Sequence, residues 1–527
     1  MAYDVERKIG KYRYKYTVEA YRDPETGKPR QRVLKYHGRV DDAGRVVVPA
    51  AVRVDEVRSA FPIGGLALFV SAGNRIDLAQ HVADALEVAP EVAAHVVCLA
   101  LNQIGARRSL QDLPGWVRRS PLPRWLSFDA EPLDRDTFDR ALHAINRVED
   151  GLPVDKGLVL QEKLTRTWRN GSREPAQFYY DVTRQVYRGG HCPYAEPGYF
   201  PGGRRQNVLG FGMVTSRWNH HPVLCRPIPG SRNDTVTVQD IVNELKGWGY
   251  DRLTLIMDRG MVSKGNVEFI HASGFEQVGI VPESNREAWD YLVRWAEVDL
   301  RKPRFLVERS ERKAVYLRAW ETSLLGRKRM KVVLVEDAVR GAEEGVSRDL
   351  LVSRATKTTD PVQLRKLRED LGYLAVTAKG RRGFAVDTKA AREDRVGDGR
   401  FLMFSTDLSM DAEEIFRAYF QRDEIEKAFR TMKGELSLGP IRYRTREKIE
   451  AYTTVVYVAY LLWSLVQRTL REKLGSLSVS GALKLLEDVH WVRFGSGKTE
   501  HEWVTKLSSE QERVLKALGA VPLLRSG

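Results

Sequence analysis

The stretch Arg252 to Met257, RLTLIM, reads as a continuous apolar strand that ends at the turn Asp258-Arg259-Gly260. A strand without polar alternation must be covered on both faces, which places it at the centre of a sheet flanked by helices. The neighbouring sequence supplies the other pieces. Residues 178–183 (FYYDVT), 207–215 (NVLGFGMVT) and 222–227 read as strands, and 236–248 (VTVQDIVNELKGW) as an amphipathic helix. A short helix near 265–272 and a strand near 277–281 complete five strands and two helices of an α/β core.

Other patterns surround this core. Residues 11–38 alternate in the strand manner across the turn Asp23-Pro24-Glu25-Thr26-Gly27, giving a basic β-hairpin unit over residues 1–50. Residues 51–165 turn helical, punctuated by Pro121, Pro123 and Pro132, and form a DNA-binding region in the expected layout. The core then runs over 166–283. Residues 284–399 break it with short β-branched runs (AVYLRAW, KVVLVED, GYLAVTA) and one basic helical piece near 362–370. It resumes over 400–470, where Ser409 can cap a helix whose first turns carry Asp411, Glu413 and Glu414. An apolar helix over 451–466 packs behind it; at sixteen residues it is short of the roughly 20 a bilayer span needs, so no membrane is expected. Residues 471–527 read as a helical end with dimer contacts.

Three carboxylates stand out. Asp181 sits within an apolar-aromatic strand and Asp258 directly follows another. A carboxylate at a buried strand is costly unless it is paired or holds a metal. The first and fourth strands are expected to be neighbours, and a later helix can lay a glutamate across them. Glu426 is that glutamate. It lies in YFQRDEIEKAFRTMK, where Tyr419, Arg422, Glu426 and Lys433 are separated by two, three and six residues. On one continuous helix these four fall within roughly a 60° arc, while Ile425, Ala428, Phe429 and Met432 form an apolar stripe. Taken alone, Asp181 and Asp258 read equally well as turn residues, and the helix as a solvated face with ion pairs. Together, three oxygen donors without His or Cys suit two Mg²⁺ or Mn²⁺ ions. His191, Cys192, His220, His221 and Cys225 lack the CxxC or HxxxH spacing of a zinc site, and no Walker loop is present.

Charge points to the partner. Lys plus Arg number 85 against 70 Asp plus Glu, and residues 301–331 hold eleven basic against three acidic residues, interleaved with Phe305, Tyr316 and Trp320. Basic clusters with aromatics among them favour nucleic acid. Three scattered cysteines suit a reducing cytoplasm, with the protein at the nucleoid.

On these residues the chain resembles the DDE transposases of prokaryotic insertion sequences, in the branch with a Y-x2-R-x3-E-x6-K signature. Asp181 in YYDVT and Asp258 in LIMDRG match the two strand aspartates, and the 168-residue gap from Asp258 to Glu426 matches members with a β-rich insertion. The resemblance implies a ribonuclease-H-like core and binding of two divalent metals by Asp181, Asp258 and Glu426. It implies that Arg422 and Lys433 hold backbone phosphates and that Tyr419 touches a phosphate or an unstacked base. The implied activity is cleavage at terminal inverted repeats and joining of the 3′-hydroxyl ends to target DNA, by a homodimer in a synaptic complex. Trp320 is the candidate for stacking a flipped base, against a plain core role. Tyr452 stands where many relatives carry histidine. Two other readings share the chemistry in part: a nuclease of the same fold, and a domesticated DNA-binding protein without catalysis.

Overall fold

The computed structural model describes the chain apart from residues 1, 11, 24–26, 41–45, 48–55, 106, 200–204, 283, 296–297, 311–312, 359, 361, 364–365, 367–376, 379–383, 386–394, 497–498 and 526–527. The N-terminal strands are β1 (Ala2–Ile9), β2 (Tyr12–Arg22) and β3 (Pro29–Val40), joined in one antiparallel sheet with the two-residue strand Val46–Val47. The expected hairpin is β2–β3, closed where the Asp23 N–H donates to Lys28 O and the Gly27 N–H to Asp23 O, both at 2.9 Å. Then come β4 (Glu56–Pro62) and the helices α1 (Gly64–Asn74), α2 (Leu78–Leu86), α3 (Pro90–Gln103), α4 (Arg135–Ile145) and α5 (Lys156–Arg169).

The core follows as β5 (Gln177–Val186), β6 (Arg205–Ser216), β7 (Pro222–Pro229), α6 (Asp234–Gly247), β8 (Thr254–Met257), α7 (Lys264–Ala272) and β9 (Glu276–Ile280). Beyond it lie α8 (Arg286–Arg294), β10 (Leu306–Ser310), β11 (Lys313–Leu324), β12 (Arg327–Glu336), α9 (Ala338–Lys357) and β13 (Arg400–Ser405). The chain ends with α10 (Ala412–Phe420), α11 (Asp423–Lys433), α12 (Arg446–Leu474), β14 (His490–Ser496), β15 (Thr499–Val504) and α13 (Ser509–Leu518).

One large sheet has the order β7-β6-β5-β8-β9-β13-β12-β11-β10, with the short strand Glu196–Tyr199 beside β6. Strand β6 lies between β5 and β7 and is antiparallel to both, while β8 runs parallel to β5 and β9 parallel to β8. This is the ribonuclease-H-like strand order, and it puts RLTLIM at the centre: Leu255, Ile256 and Met257 are fully buried. Leu255 and Met257 pack with α6 and α7 residues such as Ile241 and Ile270, while Ile256 joins the cluster that holds Tyr419, Ile425 and the α12 side chains.

Three expectations need correction, while the β-rich segment joins the core sheet: β12 pairs with β13, and β11 and β10 extend the same sheet outward. Its strand KVVLVED is buried on both faces at Val332, Val333, Leu334 and Val335, so it can only be an interior strand. The same segment contains the twenty-residue helix α9, which its glycines concealed. A side chain at Gly341 would approach Asp398 O at 3.0 Å, so the glycine serves close packing there. Residues 56–62, 490–496 and 499–504 are strands within regions expected to be helical, because β4 pairs with β14 and β14 with β15. Finally, Asp411 caps α10, accepting the Glu414 N–H at 2.8 Å, while Ser409 instead donates to Asp407. The basic helical piece near 362–370 and the strand GYLAVTA lie largely outside the described residues.

Helix α12 is the hub of the helical layer. It is long and apolar enough to cross a membrane by composition, and 89% of its apolar window is buried inside the protein. Tyr452, on this helix, is buried and hydrogen-bonds through its hydroxyl to Gln103 Nε2 (3.1 Å), Arg107 Nη1 (2.5 Å) and Leu438 O (2.9 Å). It ties α3 and the segment after α11 to the hub. Tyr452→Phe therefore leaves Leu438 O without this donor, and a loss of about 1–3 kcal/mol is expected. A lowered midpoint of thermal unfolding monitored by circular dichroism checks it.

Candidate active site

Parallel pairing places the two aspartates. Tyr180 of β5 lies opposite Met257 of β8, so Asp181 and Asp258 stand side by side one step further along. Adjacent strands are about 4.8 Å apart, and side chains alternate between faces. Tyr180 and Met257 point into the α6–α7 layer, and the next pair therefore turns to the layer of α10 and α11. Asp181 lies within β5, not at a turn, and accepts the Val182 N–H at 2.8 Å. Asp258 precedes the one-turn 3₁₀ helix Arg259–Met261 without capping it through its side chain.

The signature residues arrive on two helices instead of one. Helix α10 ends at Phe420, and the Arg422 N–H donates to Tyr419 O and the Ile425 N–H to Arg422 O, a tight i→i+3 link into α11. Arg217, buried at 7% exposure in the β6–β7 hairpin, fixes this link from outside: it donates to Gln421 Oε1 (3.1 Å) and to Gln177 Oε1 (2.5 Å). No local pattern in the sequence announces Arg217, because its partners are far along the chain.

Despite the break, the side chains meet. The Tyr419 hydroxyl donates to Asp258 Oδ1 at 3.2 Å. Arg422 lies 3.1 Å from the same oxygen through Nη1 and 3.6 Å from Glu426 Oε1 through Nη2, with its guanidinium 5.2 Å from the Tyr419 ring centroid. The apolar stripe Ile425, Ala428, Phe429 and Met432 is buried, as the helix pattern requires. Arg422 is only 14% exposed, whereas Asp258 is 46% and Glu426 52% exposed: a cationic floor beneath two carboxylates open to solvent.

Electrostatics follow from this layering. Burial pushes the Asp181 carboxyl up to about 6, with Asp258 adding to it and the Val182 N–H and Arg422 opposing. Burial works against the Arg422 charge, but Tyr419, Asp258, Asp181 and Glu426 together hold its pKa above the ordinary value. Burial and Asp258 push the Tyr419 phenol up to about 12, so it remains a donor at neutral pH. Desolvation lowers the pKa of the exposed Lys433, and the charge of Asp181 opposes the shift.

The expected cage is only partly drawn together. Among the described residues no three His, Cys, Asp or Glu side chains are gathered closely enough to hold an ion. Arg422 bridges Asp258 and Glu426, and Asp181 stands beside them on the strand. The donor set nevertheless fits a divalent metal: three hard carboxylates, one of them pushed up in pKa by burial and so in need of a cation. Trp320 is not brought to this site. Half-buried, it packs against the cluster that holds Val332 and Phe404 on the α8 face of the sheet, opposite the carboxylates, and lies edge-on to Trp295 at 3.7 Å. The plain packing role fits that place.

The family described as "Transposase DDE domain" matches residues 181–462, more than half of the chain. The chain belongs to the DDE transposase family. The match begins at Asp181 and ends within α12, so it spans the sheet, the strands added to it and both signature helices. The enzyme is a transposase: it acts on DNA, cutting and joining strands with the divalent metal that such enzymes use. No curated protein sequence matches the chain. Among solved structures, the transposase is similar to a piggyBac transposase synaptic complex with hairpin DNA, at 12% identity and a TM-score of 0.37 over 81% of this chain and 80% of that one. It is also similar to the Mos1 mariner paired end complex with Mn, at 9% identity and a TM-score of 0.14 over 33% of this chain and 54% of that one.

Proposed function

We propose that Asp181, Asp258 and Glu426 hold two Mg²⁺ (or Mn²⁺) ions, and that Tyr419, Arg422 and Lys433 bind the DNA strand being cut. The observation that carries this reading is the placement of Asp181 and Asp258 side by side on paired strands, on the face where Tyr419 and Arg422 meet Asp258. When bound, the ions supply activation of the attacking oxygen and stabilisation of the leaving one. The chain's own groups do the rest. The rigid Arg422 fork and the Lys433 ammonium offset charge on the scissile phosphate, and the protonated Tyr419 donates to a phosphate oxygen or touches an unstacked base. Glu426 approaches from α11, across the two strands.

In the reaction, a water oxygen forms a bond to phosphorus and the bond to the 3′-oxygen breaks, leaving a 3′-hydroxyl and a 5′-phosphate. That hydroxyl then attacks a target phosphodiester and expels the target 3′-oxygen. The substrates are the terminal inverted repeats of an insertion sequence of the prokaryotic branch with the Y-x2-R-x3-E-x6-K signature, and the working form is a homodimer that brings two ends together. The three buried free cysteines suit a reducing cytoplasm and a protein associated with the nucleoid.

Labelled duplex ends incubated with the transposase test the reading. Nicks with free 3′-hydroxyls should form at the repeat boundary in Mg²⁺ and fail to form when EDTA is present from the start. Cleavage that persists in EDTA would remove the metal from the account.

A further inference from the structure

We infer that one face of the N-terminal sheet docks into the major groove of duplex DNA. This inference rests on the reading that the transposase works on duplex ends. Residues 1–40 hold eleven Lys and Arg against five Asp and Glu, together with six tyrosines. The strand registers sort these residues. Val5 pairs with Tyr16, Arg7 with Tyr14, Tyr16 with Tyr36 and Tyr14 with Arg39, so these side chains share one face. The three carboxylates of β1–β3, Asp4, Glu6 and Glu19, all alternate onto the other face, where they pair with Lys15 (3.2 Å), Arg13 (3.6 Å) and Arg32 (2.7 Å). The first face therefore keeps its cations among aromatics. Arg7 lies 5.7 Å from the Tyr16 centroid and Arg39 3.8 Å from that of Tyr12.

This face is open. Tyr36 is 54% exposed and Tyr3 44%, with Tyr36 touching Tyr14 and Tyr16 at 6.2 and 5.2 Å between ring centroids. A tyrosine cluster left in water beside two guanidiniums, with no carboxylate alternating onto its face within the three strands, is complementary to a polyanion with flat bases. The axes of β1 and β3 lie about 10 Å apart, within the roughly 12 Å width of the major groove, so these three strands can lie along it face-on, with the two-residue strand Val46–Val47 beyond β3. Arg7 and Arg39 then reach the phosphates, and the tyrosine hydroxyls reach sugar or base edges.

The test is equilibrium binding of the full chain to a duplex end over a salt series. Arg7→Glu/Arg39→Glu should weaken binding at least tenfold at 0.1 M salt and flatten the logarithmic salt slope by about two. Tyr36→Ala should weaken it several-fold at an unchanged slope. Lys8→Glu/Lys35→Glu, which makes the same charge change on the other face, should stay within about threefold of wild type. Unchanged melting curves show that the variants fold. Equal losses from both charge reversals, or from neither, overturn the face. Tighter wild-type binding to a single strand, lost in the Arg7/Arg39 variant, overturns the duplex. Failure of wild type to cut in Mg²⁺ while these differences hold would instead remove the catalytic reading and leave the face standing.

Discussion

Asp258→Asn and Asp181→Asn should each lower cleavage at a transposon end by about a thousandfold or more, equal to about 4 kcal/mol of transition-state stabilisation. The amide keeps the shape and, at Asp181, can still accept the Val182 N–H. Only the negative charge is lost, and with it a metal ligand. The two effects of the change separate cleanly at Asp181. Its carboxyl is pushed up to about 6 by burial, so the unfolded state releases this proton at lower pH than the folded one. The stability cost of the charged form therefore appears as pH rises through the interval from its ordinary value to about 6, and is fully present above it. In EDTA at pH 7.5 Asp181→Asn should melt at or above the wild-type temperature. An inactive variant with a lowered melting temperature would mean that Asp181 is a structural residue.

Arg422→Ala should cost about a hundredfold in cleavage, in the range seen when one fixed donor to a transition-state oxygen is removed. Arg422 has two roles that this variant must separate. It neutralises Asp258 and Glu426, from 3.1 and 3.6 Å, and it faces the position proposed for the scissile phosphate. Saturating Mg²⁺ can replace the first role but not the second. Activity should therefore stay well below wild type at every Mg²⁺ concentration, and the salt slope of end binding should flatten by about one unit. Arg422→Lys should recover only part of the rate, since a point charge cannot reproduce the planar fork. Full rescue by Mg²⁺ would reduce Arg422 to a counter-ion for the carboxylates.

The parts of the fold legible in the sequence were those set by local pattern. The apolar run at 252–257 marked the centre of the sheet, and the order of strands made Asp181 and Asp258 neighbours. The stripe Ile425, Ala428, Phe429 and Met432 is buried as its spacing requires. What failed depended on distant partners. A helical arc drawn through Gln421 and Arg422 is nearly indifferent to an i→i+3 link, because both residues keep right-handed helical angles, so the break between α10 and α11 was invisible. Strand β4 finds its partner β14 more than 400 residues later, which no window can see. Helix α9 was hidden by Gly341 and Gly345, whose low helix propensity is overridden by packing against Asp398. Trp320 was offered through the resemblance, as an aromatic of the β-rich segment, and which face of the sheet it occupies followed only from the register that joins β11, β12 and β13.

Joining activity is the most direct measure of the central claim. A pre-cut labelled end with a free 3′-hydroxyl, an unlabelled target duplex and Mg²⁺ are incubated with wild type and with Glu426→Gln, and the joined products are resolved by length. Wild type should transfer the label into the target, and Glu426→Gln should bind the end equally well and join nothing. A wild type that neither cuts nor joins, or a Glu426→Gln variant that keeps full joining activity, would contradict the assignment of this site.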